Sequence, residues 1–458
     1  MGKALVALDT DHIKEYVFGT DKLKEIRGAS SVLDYLNRYE MRRVASKFQA
    51  KPIYTNGGSG LFVIDEENAE AFAKQVQLAY SEKSGGTSSI TYAVQPISVP
   101  DGINEDKLMN FPLENEFLLL QYRLQEAKQH PPVSLAMASH PFIRLCDACG
   151  IEYANTADPS RKFVRDPGEE DEQYCTSCQI KRARDREVKE FIENIETQHT
   201  TSNDEYLWQE VISRLHEGGY DLQSQPERPS NFNVFRNFKG AKDYLGLIYA
   251  DANNMGRAIE QQSTLALRKT LADTVDEAIY RSVCTAIVRH LKIADHLKPK
   301  EQLTDDLRNP VFPFDILLMG GDDICMVVPA SVAMDVALTI AKTFYIATNK
   351  KHTLSVGVIL APIKYPFGLL REMAKTALDF AKKTGSDARA KAAKANTTTD
   401  DTRINFMIVT GGSSSDFKPV YDTVYRRQDK DMHQEFYATL RPYTPDYLRI
   451  LLDAIREK

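Results

Sequence analysis

The feature that most restricts the fold of this 458-residue chain is an order of predicted elements that occurs twice. In each half, an apolar strand ends in an aspartate and is followed by a helix, a hairpin, a helix and a strand. In the first half these elements are a strand at 4–8, a helix at 30–48, a hairpin at 53–64, a helix at 67–82 and a strand at 90–94. In the second half they are a strand at 245–250, a helix from Ser263, a hairpin at 314–328, a helix at 331–347, a strand at 354–360 and a helix at 366–384.

This repeat predicts an α+β fold with two ferredoxin-like units, each with four antiparallel strands and two helices on one face. Such a unit brings the hairpin tip and the end of its first strand to the same edge of the sheet. Asp9 would therefore lie beside residues 56–59 (NGGS), and Asp251 beside residues 320–323 (GGDD). The second copy thus carries hairpin acids that the first copy lacks.

The GGDD hairpin has the composition of a metal site for phosphoryl transfer. This chemistry needs cations that neutralise the triphosphate and lower the pKa of the attacking hydroxyl. Magnesium is held by a few carboxylates together with phosphate oxygens, and Asp251, Asp322 and Asp323 supply three carboxylates. Gly320 and Gly321 allow a tight turn and a close approach of the backbone to a triphosphate. The alternative is a solvated Asp-Gly turn, which is common in hairpins.

Two further residues bear on this site. We do not count the amide of Asn253 as a strong metal ligand, so the site has three plausible carboxylates and not four. Lys382, late in the last helix of the second half, could reach a phosphate or could be a solvated helix end. The chain contains no P-loop, no dinucleotide-binding fingerprint and no His-Asp dipeptide of the kind used by phosphohydrolases.

Four of the six cysteines form two Cys-x-x-Cys pairs, separated by residues 150–174. In a cytoplasmic protein, two such pairs predict a closed tetrahedral zinc site with a structural role, because disulfides are disfavoured there. The ligands would be Cys146, Cys149, Cys175 and Cys178.

Composition places limits on the partners. The net charge of −6 and the pI near 5.9 provide no global basic field for nucleic acid. Neither a secretory signal nor an apolar run of about 20 residues is present, so we expect a soluble, cytoplasmic protein with no membrane partner.

We predict an exposed charged helix at 181–198, a linker at 218–240 and a mobile surface loop at 384–404.

Taken together, these motifs resemble the large polymerase-like subunit of type III CRISPR effector complexes. Members of that family have two palm domains, the second bearing GGDD, and a four-cysteine zinc element. The residues that carry the resemblance are 7–18 (ALDTDHIKEYVF), 23–30 (LKEIRGAS), 249–256 (YADANNMG), the GGDD itself and 355–358 (SVGV). The GGDD alone is also similar to diguanylate cyclases, but the IRGAS run and the cysteines favour the CRISPR-type family.

The resemblance implies four parts and the absence of the N-terminal HD nuclease domain found in many members, since the first palm begins at residue 3. No DNA cleavage is therefore expected. The parts are a first palm-like domain with a degenerate hairpin at 1–135, a zinc-binding and helical linker region at 136–240, a second palm domain at 241–410 and a short C-terminal helical segment at 411–458.

The family converts ATP into cyclic oligoadenylate second messengers. By resemblance, Asp251, Asp322 and Asp323 would hold magnesium or manganese, and they are the predicted catalytic residues. The predicted nucleotide-binding residues are Gly320, Gly321, Asn254 and Lys382, with Ser30, Gly57 and Gly58 of the first palm beside the acceptor nucleotide. One departure is Asn253, where the family usually shows a second acid.

Three hypotheses follow. The first is a nucleotidyltransferase that makes cyclic oligonucleotides from ATP in antiviral defence. The second is a non-catalytic palm-fold scaffold or sensor that binds RNA or effector partners, and the third, which we favour less, is a diguanylate cyclase that uses GTP. The protein would work with the subunits of a guide-RNA-containing effector complex or as a stand-alone synthase.

Overall fold

The computed structural model describes residues 2–98, 104–129, 144–155, 171–193, 206–222, 226–240, 243–293, 310–395, 397, 399–410, 417–429, 434–437 and 439–457. The chain divides into two compact units. The first comprises Met1–Gln209 and Asn254–Asp276, and the second comprises Glu210–Asn253 and Glu277–Lys458. The four-part division inferred from the sequence is a finer one and remains a prediction.

The first unit contains one four-stranded sheet and the helices that pack on it. Its strands are β1 (Lys3–Thr10), β2 (Lys51–Asn56), β3 (Ser59–Asp65) and β4 (Ile90–Ile97). Its helices are α1 (Ile13–Phe18), α2 (Leu23–Tyr35), α3 (Met41–Lys47), α4 (Glu66–Ser84), α5 (Glu105–Met109), α6 (Glu114–Gln129) and α7 (Thr176–Glu193). Helix α9 (Met255–Glu260) also belongs to the first unit. Two helices begin in the first unit and end in the second: α8 (Tyr206–Glu217) and α10 (Leu265–His290).

The first sheet has the order β2-β3-β1-β4, and each neighbouring pair is antiparallel. Strand β1 lies in the interior of the sheet, and Ala4, Leu5 and Val6 are fully buried. A continuous apolar run is the pattern of a strand that is covered on both faces. This order is that of a ferredoxin-like unit, as predicted.

The second unit contains a five-stranded sheet. Its strands are β5 (Tyr244–Ala252), β6 (Asp315–Gly320), β7 (Asp323–Pro329), β8 (Leu354–Pro362) and β9 (Ile404–Ile408), and a separate hairpin pairs β10 (Arg426–Asp429) with β11 (Gln434–Tyr437). Its further helices are α11 (Ala333–Ala347), α12 (Phe367–Lys394), α13 (Phe417–Val424) and α14 (Pro445–Arg456), with a 3-10 turn at Phe232–Asn237.

The second sheet has the order β6-β7-β5-β8-β9, in which the first four strands are antiparallel and β9 runs parallel to β8. Its first four strands repeat the order of the first sheet. Both hairpins also contain a register shift at the same distance from the turn, between Pro52 and Tyr54 in β2 and between Ile316 and Leu318 in β6. The predicted duplication is therefore confirmed down to this irregularity.

The helix predicted at 181–198 is not exposed. It is α7, which in the described residues ends at Glu193, and Lys181, Arg182 and Val188 on it are buried. The charges do not prevent burial because α7 packs on α2, where Arg182 lies 3.3 Å from the carboxylate of Glu25. The helix was predicted to be exposed because it is rich in charged residues. Charged side chains are rarely buried unless they are paired, as Arg182 and Glu25 are here.

Three other predictions need correction. The loop at 384–404 is helical up to Lys394, because Ala and Lys favour helix even without an apolar period. The described part of the linker at 218–240 buries Phe235 and Phe238 completely. The C-terminal segment 411–458 contains the β10–β11 hairpin as well as helices. No helix in the described part of the chain is both long and apolar enough to cross a membrane.

Candidate carboxylate site and cysteine cluster

The end of β5 places Asp251 between two neighbours on adjacent strands. Asp251 lies directly opposite Asp323 on β7 and directly opposite Ser355 on β8. Directly opposed residues of antiparallel strands have Cβ atoms about 4.5–5.5 Å apart. The hairpin and the strand end therefore meet at one sheet edge, as the topology predicted.

The GGDD residues form the tip of the β6–β7 hairpin. Gly320 pairs with Asp323 across the hairpin, and Gly321 has a φ of 61°. The two-residue turns that close hairpins, types I′ and II′, require a positive φ at their first position, which glycine adopts without steric cost. The carbonyl of Asp322 accepts a hydrogen bond from the backbone N–H of Ala252, 3.1 Å away, so the turn is fixed against the end of β5.

Two opposed carboxylates repel each other unless a cation lies between or beside them. Here Lys382, on α12, forms an ion pair with Asp251. The Lys382 side chain is 33% exposed and that of Asp251 is 14% exposed, so the pair is partly accessible to solvent. Beneath it, burial raises the pKa of Tyr249, and the charges of Asp323 and Asp251 add to the rise.

The donor set suits a divalent cation that is completed by a ligand. Magnesium is commonly held by one or two carboxylates plus substrate phosphates, and the opposed pair Asp251 and Asp323 supplies two. Among the described residues, the acids do not form a group of three ligand atoms within 4.8 Å of one another. Two opposed carboxylates leave coordination positions for the phosphate oxygens of a ligand, so the residues fit a cation shared with a triphosphate.

Asn253 is held by two hydroxyl groups. Its side-chain N–H donates to the hydroxyl of Thr353, 3.0 Å away, and its side-chain oxygen accepts from the hydroxyl of Ser355, 2.8 Å away. Its backbone N–H also donates to the carbonyl of Thr353 at 2.8 Å. Asn253 is 8% exposed. Both ends of the amide are therefore occupied by hydrogen bonds within the protein.

The same hydrogen-bonded chain continues away from Asn253. The Thr353 hydroxyl donates to Asp401, whose other oxygen accepts from the Arg389 guanidinium at 2.7 Å. The Asp401 side chain is 6% exposed and that of Arg389 is 41% exposed. A Cβ on Gly385 would overlap the carbonyl oxygen of Asp401, so the backbone at Asp401 lies directly against α12. This chain of Ser355, Asn253, Thr353, Asp401 and Arg389 is called the Asp401 network below.

The first unit contains counterparts of Asp251, Asp323 and Ser355. Asp9 lies opposite Ser59 on β3 and Thr91 on β4. Lys128, on α6, contacts Asp9 at 2.5 Å and Asp11 at 3.6 Å. Burial raises the pKa of Asp9, while Lys128 opposes the rise. The hairpin acid of the second unit is thus replaced by a serine here.

The remaining predicted nucleotide-binding residues belong to the first unit. Ser30, on α2, is 8% exposed, so little of its side chain is open to a ligand. Gly57 and Gly58 both have positive φ, 60° and 82°, and a Cβ on Gly58 would overlap Ile13. Asn254 precedes α9 with a φ of 61°. These features give Gly58 and Asn254 structural reasons to be present, and binding by any of the four stays a prediction.

The four predicted cysteines come together in the first unit. The Sγ atoms of Cys146, Cys149, Cys175 and Cys178 all lie within 4.8 Å of one another. Four sulfurs at about 2.3 Å from a tetrahedral zinc would be about 3.8 Å apart. Backbone N–H groups of Ala148 and Cys178 point at Cys146 Sγ and Cys175 Sγ, each at 3.4 Å, as expected for sulfurs with thiolate character. The cluster therefore fits a metal ion.

The cluster is joined to the first sheet through α7. This helix begins at Thr176, between the last two cysteines. A Cβ on Gly28 of α2 would overlap the carbonyl oxygen of Lys181, so the two helices touch backbone to backbone. Thr20 also donates a hydrogen bond to the carbonyl of Ala148 at 2.7 Å. Glycine in the IRGAS run is thus explained by helix packing.

The sequence prediction missed the hydroxyl pairs and the Asp401 network. A signal for the hydroxyls was present, because the last strand of each half begins with two hydroxyl residues at a spacing of two: Ser89 and Thr91, then Thr353 and Ser355. Aligning the two halves would have found them. Asp401 and Arg389 gave no such signal, since they lie in a region predicted to be a loop.

Residues 244–390 match the family model of the Cas10/Cmr2 second palm domain. The second palm is a Cas10/Cmr2 palm domain. The resemblance to the large subunit of type III CRISPR complexes is thereby confirmed. A curated relative from Enterococcus italicus, the CRISPR system single-strand-specific deoxyribonuclease Cas10/Csm1 (subtype III-A), is 22% identical over 415 residues, which are 81% of this chain and 52% of the relative.

Two solved structures extend the comparison with the Cas10 family. Csm1 in T. onnurineus matches with a TM-score of 0.51 at 13% identity, over 95% of this chain and 55% of that one. A Csm1–Csm4 cassette in complex with cA4 matches with a TM-score of 0.48 at 12% identity, over 89% of this chain and 54% of that one. The chain spans about half the length of these relatives. The likeness to Csm1 in T. onnurineus shows a shared fold.

Proposed function

We propose that the second palm is the site of a metal-dependent nucleotidyltransferase that converts ATP into a cyclic oligoadenylate in type III CRISPR antiviral defence. The observation that carries the proposal is the opposed pair of Asp251 and Asp323 at the edge of a Cas10/Cmr2 palm domain. The reaction class follows from the need of phosphoryl transfer for carboxylates that hold cations beside a triphosphate.

In the proposed reaction, the 3′-oxygen of one ATP forms a bond to the α-phosphorus of another. The bond between that phosphorus and the bridging oxygen of the β-phosphate breaks, pyrophosphate leaves, and the 3′-hydroxyl proton passes to solvent. Repetition and a final intramolecular attack close the ring. A bound magnesium or manganese ion would neutralise the phosphate charge and lower the pKa of the hydroxyl.

The protein residues have separate tasks in this proposal. Asp251 and Asp323 would hold the cation, with Asp322 next to them in the hairpin as a third carboxylate. The glycines at 320–321 would let the backbone approach the phosphates. Lys382 would leave Asp251 when a cation takes its place, and its ammonium group would then be available to a phosphate.

We propose zinc as the ion of the cysteine cluster. Four thiolates close the coordination sphere, so the ion would stabilise the fold and take no part in the reaction. As partners we propose ATP and, from the Cas10 resemblance, the other subunits of a guide-RNA-containing complex. A palm that works only as a scaffold is the competing function, and the occupied amide of Asn253 is the observation that favours it.

The test is to incubate the purified protein with each nucleoside triphosphate and Mg²⁺ or Mn²⁺ and to identify the products by mass spectrometry. We expect a cyclic oligoadenylate and pyrophosphate from ATP alone, and neither from the Asp322→Ala, Asp323→Ala double variant. The matched control replaces two exposed carboxylates of the same unit, Asp446 and Asp453, by alanine. Product from the hairpin variant at the control rate would refute the site.

The other outcomes identify the competing functions. Product from GTP alone would point to a diguanylate cyclase. Co-purification with RNA or effector subunits, with no turnover of any nucleotide, would establish the scaffold.

A further inference from the structure

Helix α12 contacts the carboxylate end of the second palm at three places. Lys382 pairs with Asp251, Gly385 packs on the backbone of Asp401, and Arg389 pairs with the Asp401 carboxylate at 2.7 Å. Residues at i, i+3 and i+7 lie on one side of a helix. One helix face therefore holds both the predicted metal ligand and the Asp401 network.

The hydrogen atoms of the network can be counted. The Thr353 hydroxyl has one hydrogen, which it donates to Asp401, so toward Asn253 it presents only an acceptor. A donor is then required at position 253, and an amide supplies one whereas a carboxylate does not. Ser355 donates to the other end of the amide. The buried charge of Asp401 thus dictates a neutral side chain at position 253.

The first palm shows the opposite arrangement in the same frame. Asp11 occupies the position of Asn253, since the N–H of Asp11 donates to Ser89 and the N–H of Asn253 donates to Thr353. The Asp11 carboxylate accepts from the hydroxyls of both Ser89 and Thr91, at 3.0 and 2.9 Å. There both hydroxyls donate, because neither gives its hydrogen to a buried acid in the contacts described.

We infer that Arg389 and Asp401 are positioning residues for the carboxylate site. Through Thr353 they orient Asn253, and they hold the end of β5, which carries Asp251, against β8 and α12. Asn253 is then an orienting residue and not a replaced metal ligand. This inference rests on the proposed function, because it concerns the cation site at Asp251 and Asp323.

The first experiment measures the affinity of the full chain for Mn²⁺ alone, by isothermal titration or electron paramagnetic resonance, in wild type and Arg389→Met. Removing a positive charge near a cation site should strengthen binding if charge alone matters. Positioning predicts the reverse. We expect binding to weaken by roughly tenfold, the lower end of what loss of a supporting residue costs in metal sites. Arg389→Lys should recover part of the affinity.

The control is Arg456→Met, which removes an exposed arginine that is paired with Asp335 in the same unit. It should leave Mn²⁺ affinity within about twofold of wild type, since an exposed pair contributes little. The Asp251→Asn variant identifies the site that is being titrated. Arg389→Met that binds Mn²⁺ as tightly as wild type, or more tightly, overturns the inference, and so does a titration that Asp251→Asn leaves unchanged.

The second experiment reverses the direction of the hydrogen bonds. Asn253→Asp should lower the melting temperature because one hydroxyl hydrogen must then serve two carboxylates. Asp401→Asn in the same chain should restore it, since the new amide can donate to Thr353 and still accept from Arg389. A double variant no more stable than the sum of the two single changes would refute the network.

Neither readout uses nucleotides, so the two ideas can fail separately. Loss of Mn²⁺ affinity in Arg389→Met from a protein that makes no cyclic product supports the inference and counts against the proposed activity. Unchanged Mn²⁺ affinity in Arg389→Met, from a protein that does make the cyclic product, counts against the inference and supports the proposed activity.

Discussion

The two palms share one backbone frame and differ in the side chains that it presents. The N–H of Thr10 donates to the carbonyl of Gly58 at 2.8 Å, and the N–H of Ala252 donates to the carbonyl of Asp322 at 3.1 Å. Each first strand is followed by a residue in the left-handed region, with φ of 49° at His12 and 61° at Asn254. The frame is thus preserved to single hydrogen bonds.

The difference lies in one row across each sheet. In the second palm the row reads Asp323, Asp251, Ser355, and in the first it reads Ser59, Asp9, Thr91. A hydroxyl in place of the hairpin acid removes one charge and leaves the rest of the row chemically similar. The two palms therefore differ in charge at the sheet edge while their hydrogen-bonded backbones are the same.

The largest expected effect comes from exchanging the residues of that row. Asp323→Ser, which gives the second palm the hairpin residue of the first, should lower the rate of product formation at least about 100-fold, the size of effect that follows loss of one electrostatic group from an active site. Ser59→Asp, the reciprocal change, should leave the rate within a few-fold of wild type. The measurement is pyrophosphate release from ATP. Equal losses in the two variants would contradict the assignment of chemistry to the second palm.

Much of the fold could be predicted because the repeated order of elements allowed few alternatives. Apolar runs ending in Asp9 and Asp251 marked the two central strands, and the hairpin glycines marked the turns. Topology then placed Asp251 beside Asp323, which is the pairing observed. Cysteine spacing was enough to predict that the four cysteines come together, since two Cys-x-x-Cys pairs are typical of zinc sites.

The missing parts depend on tertiary contacts that leave no local pattern. Lys382 and Arg389 are seven residues apart on α12, but only the fold shows that both face the end of β5 and its neighbours. Arg182 lies in the helix that was predicted to be exposed, because charge is usually exposed. The burial of Arg182 depends on Gly28, whose meaning becomes clear only when α7 is placed against α2.

The next largest effect should come from removing one cysteine of the cluster, which should destabilise the first unit more than the second. Cys178→Ser removes one of four thiolates, so the purified protein should not retain the zinc that we propose for the cluster, and elemental analysis would measure this. Apparent zinc affinities of about 10–16 kcal/mol in small domains are as large as the usual 5–15 kcal/mol of folding stability. Hydrogen exchange should therefore rise strongly in α2 and α7 of the first unit and little in β5 to β8. Cys325→Ser, a buried thiol of the second unit, is the control. Zinc content equal to wild type in Cys178→Ser would contradict the cluster.

A smaller effect tests the contact between α2 and α7 in the first unit. Gly28→Ala puts a methyl group against the carbonyl oxygen of Lys181, and overpacking of this kind costs about 1–3 kcal/mol. Gly256→Ala in α9 is the matched control, because a Cβ there has no neighbour within 4 Å, and the change should stabilise slightly, by about 0.4–1 kcal/mol. Denaturant unfolding measures both. Gly28→Ala as stable as wild type would show that α2 and α7 do not touch.

A further prediction concerns the pH dependence of the first unit. Burial raises the pKa of Glu25 to about 7 from 4.5, although Arg182 opposes the rise. The folded state then binds the proton more tightly than the unfolded state does. The stabilisation from Glu25 is complete below pH 4.5, is lost as the pH rises toward 7, and amounts to at most about 3 kcal/mol at 1.36 kcal/mol per pKa unit.

Glu25→Gln should remove this slope, so its unfolding free energy should change less than that of wild type between pH 4.5 and 7. Glu67→Gln, an exposed glutamate of α4 in the same unit, should keep the wild-type slope. The comparison is made between variants because other groups titrate in the same range. If the unfolding free energies of Glu25→Gln and wild type changed with pH in parallel, Glu25 would be ionised beside Arg182 in the folded state as it is in the unfolded state. The first palm would then keep its charges between helices without a cost that depends on pH, and the contrast with the second palm would rest on the sheet edge alone.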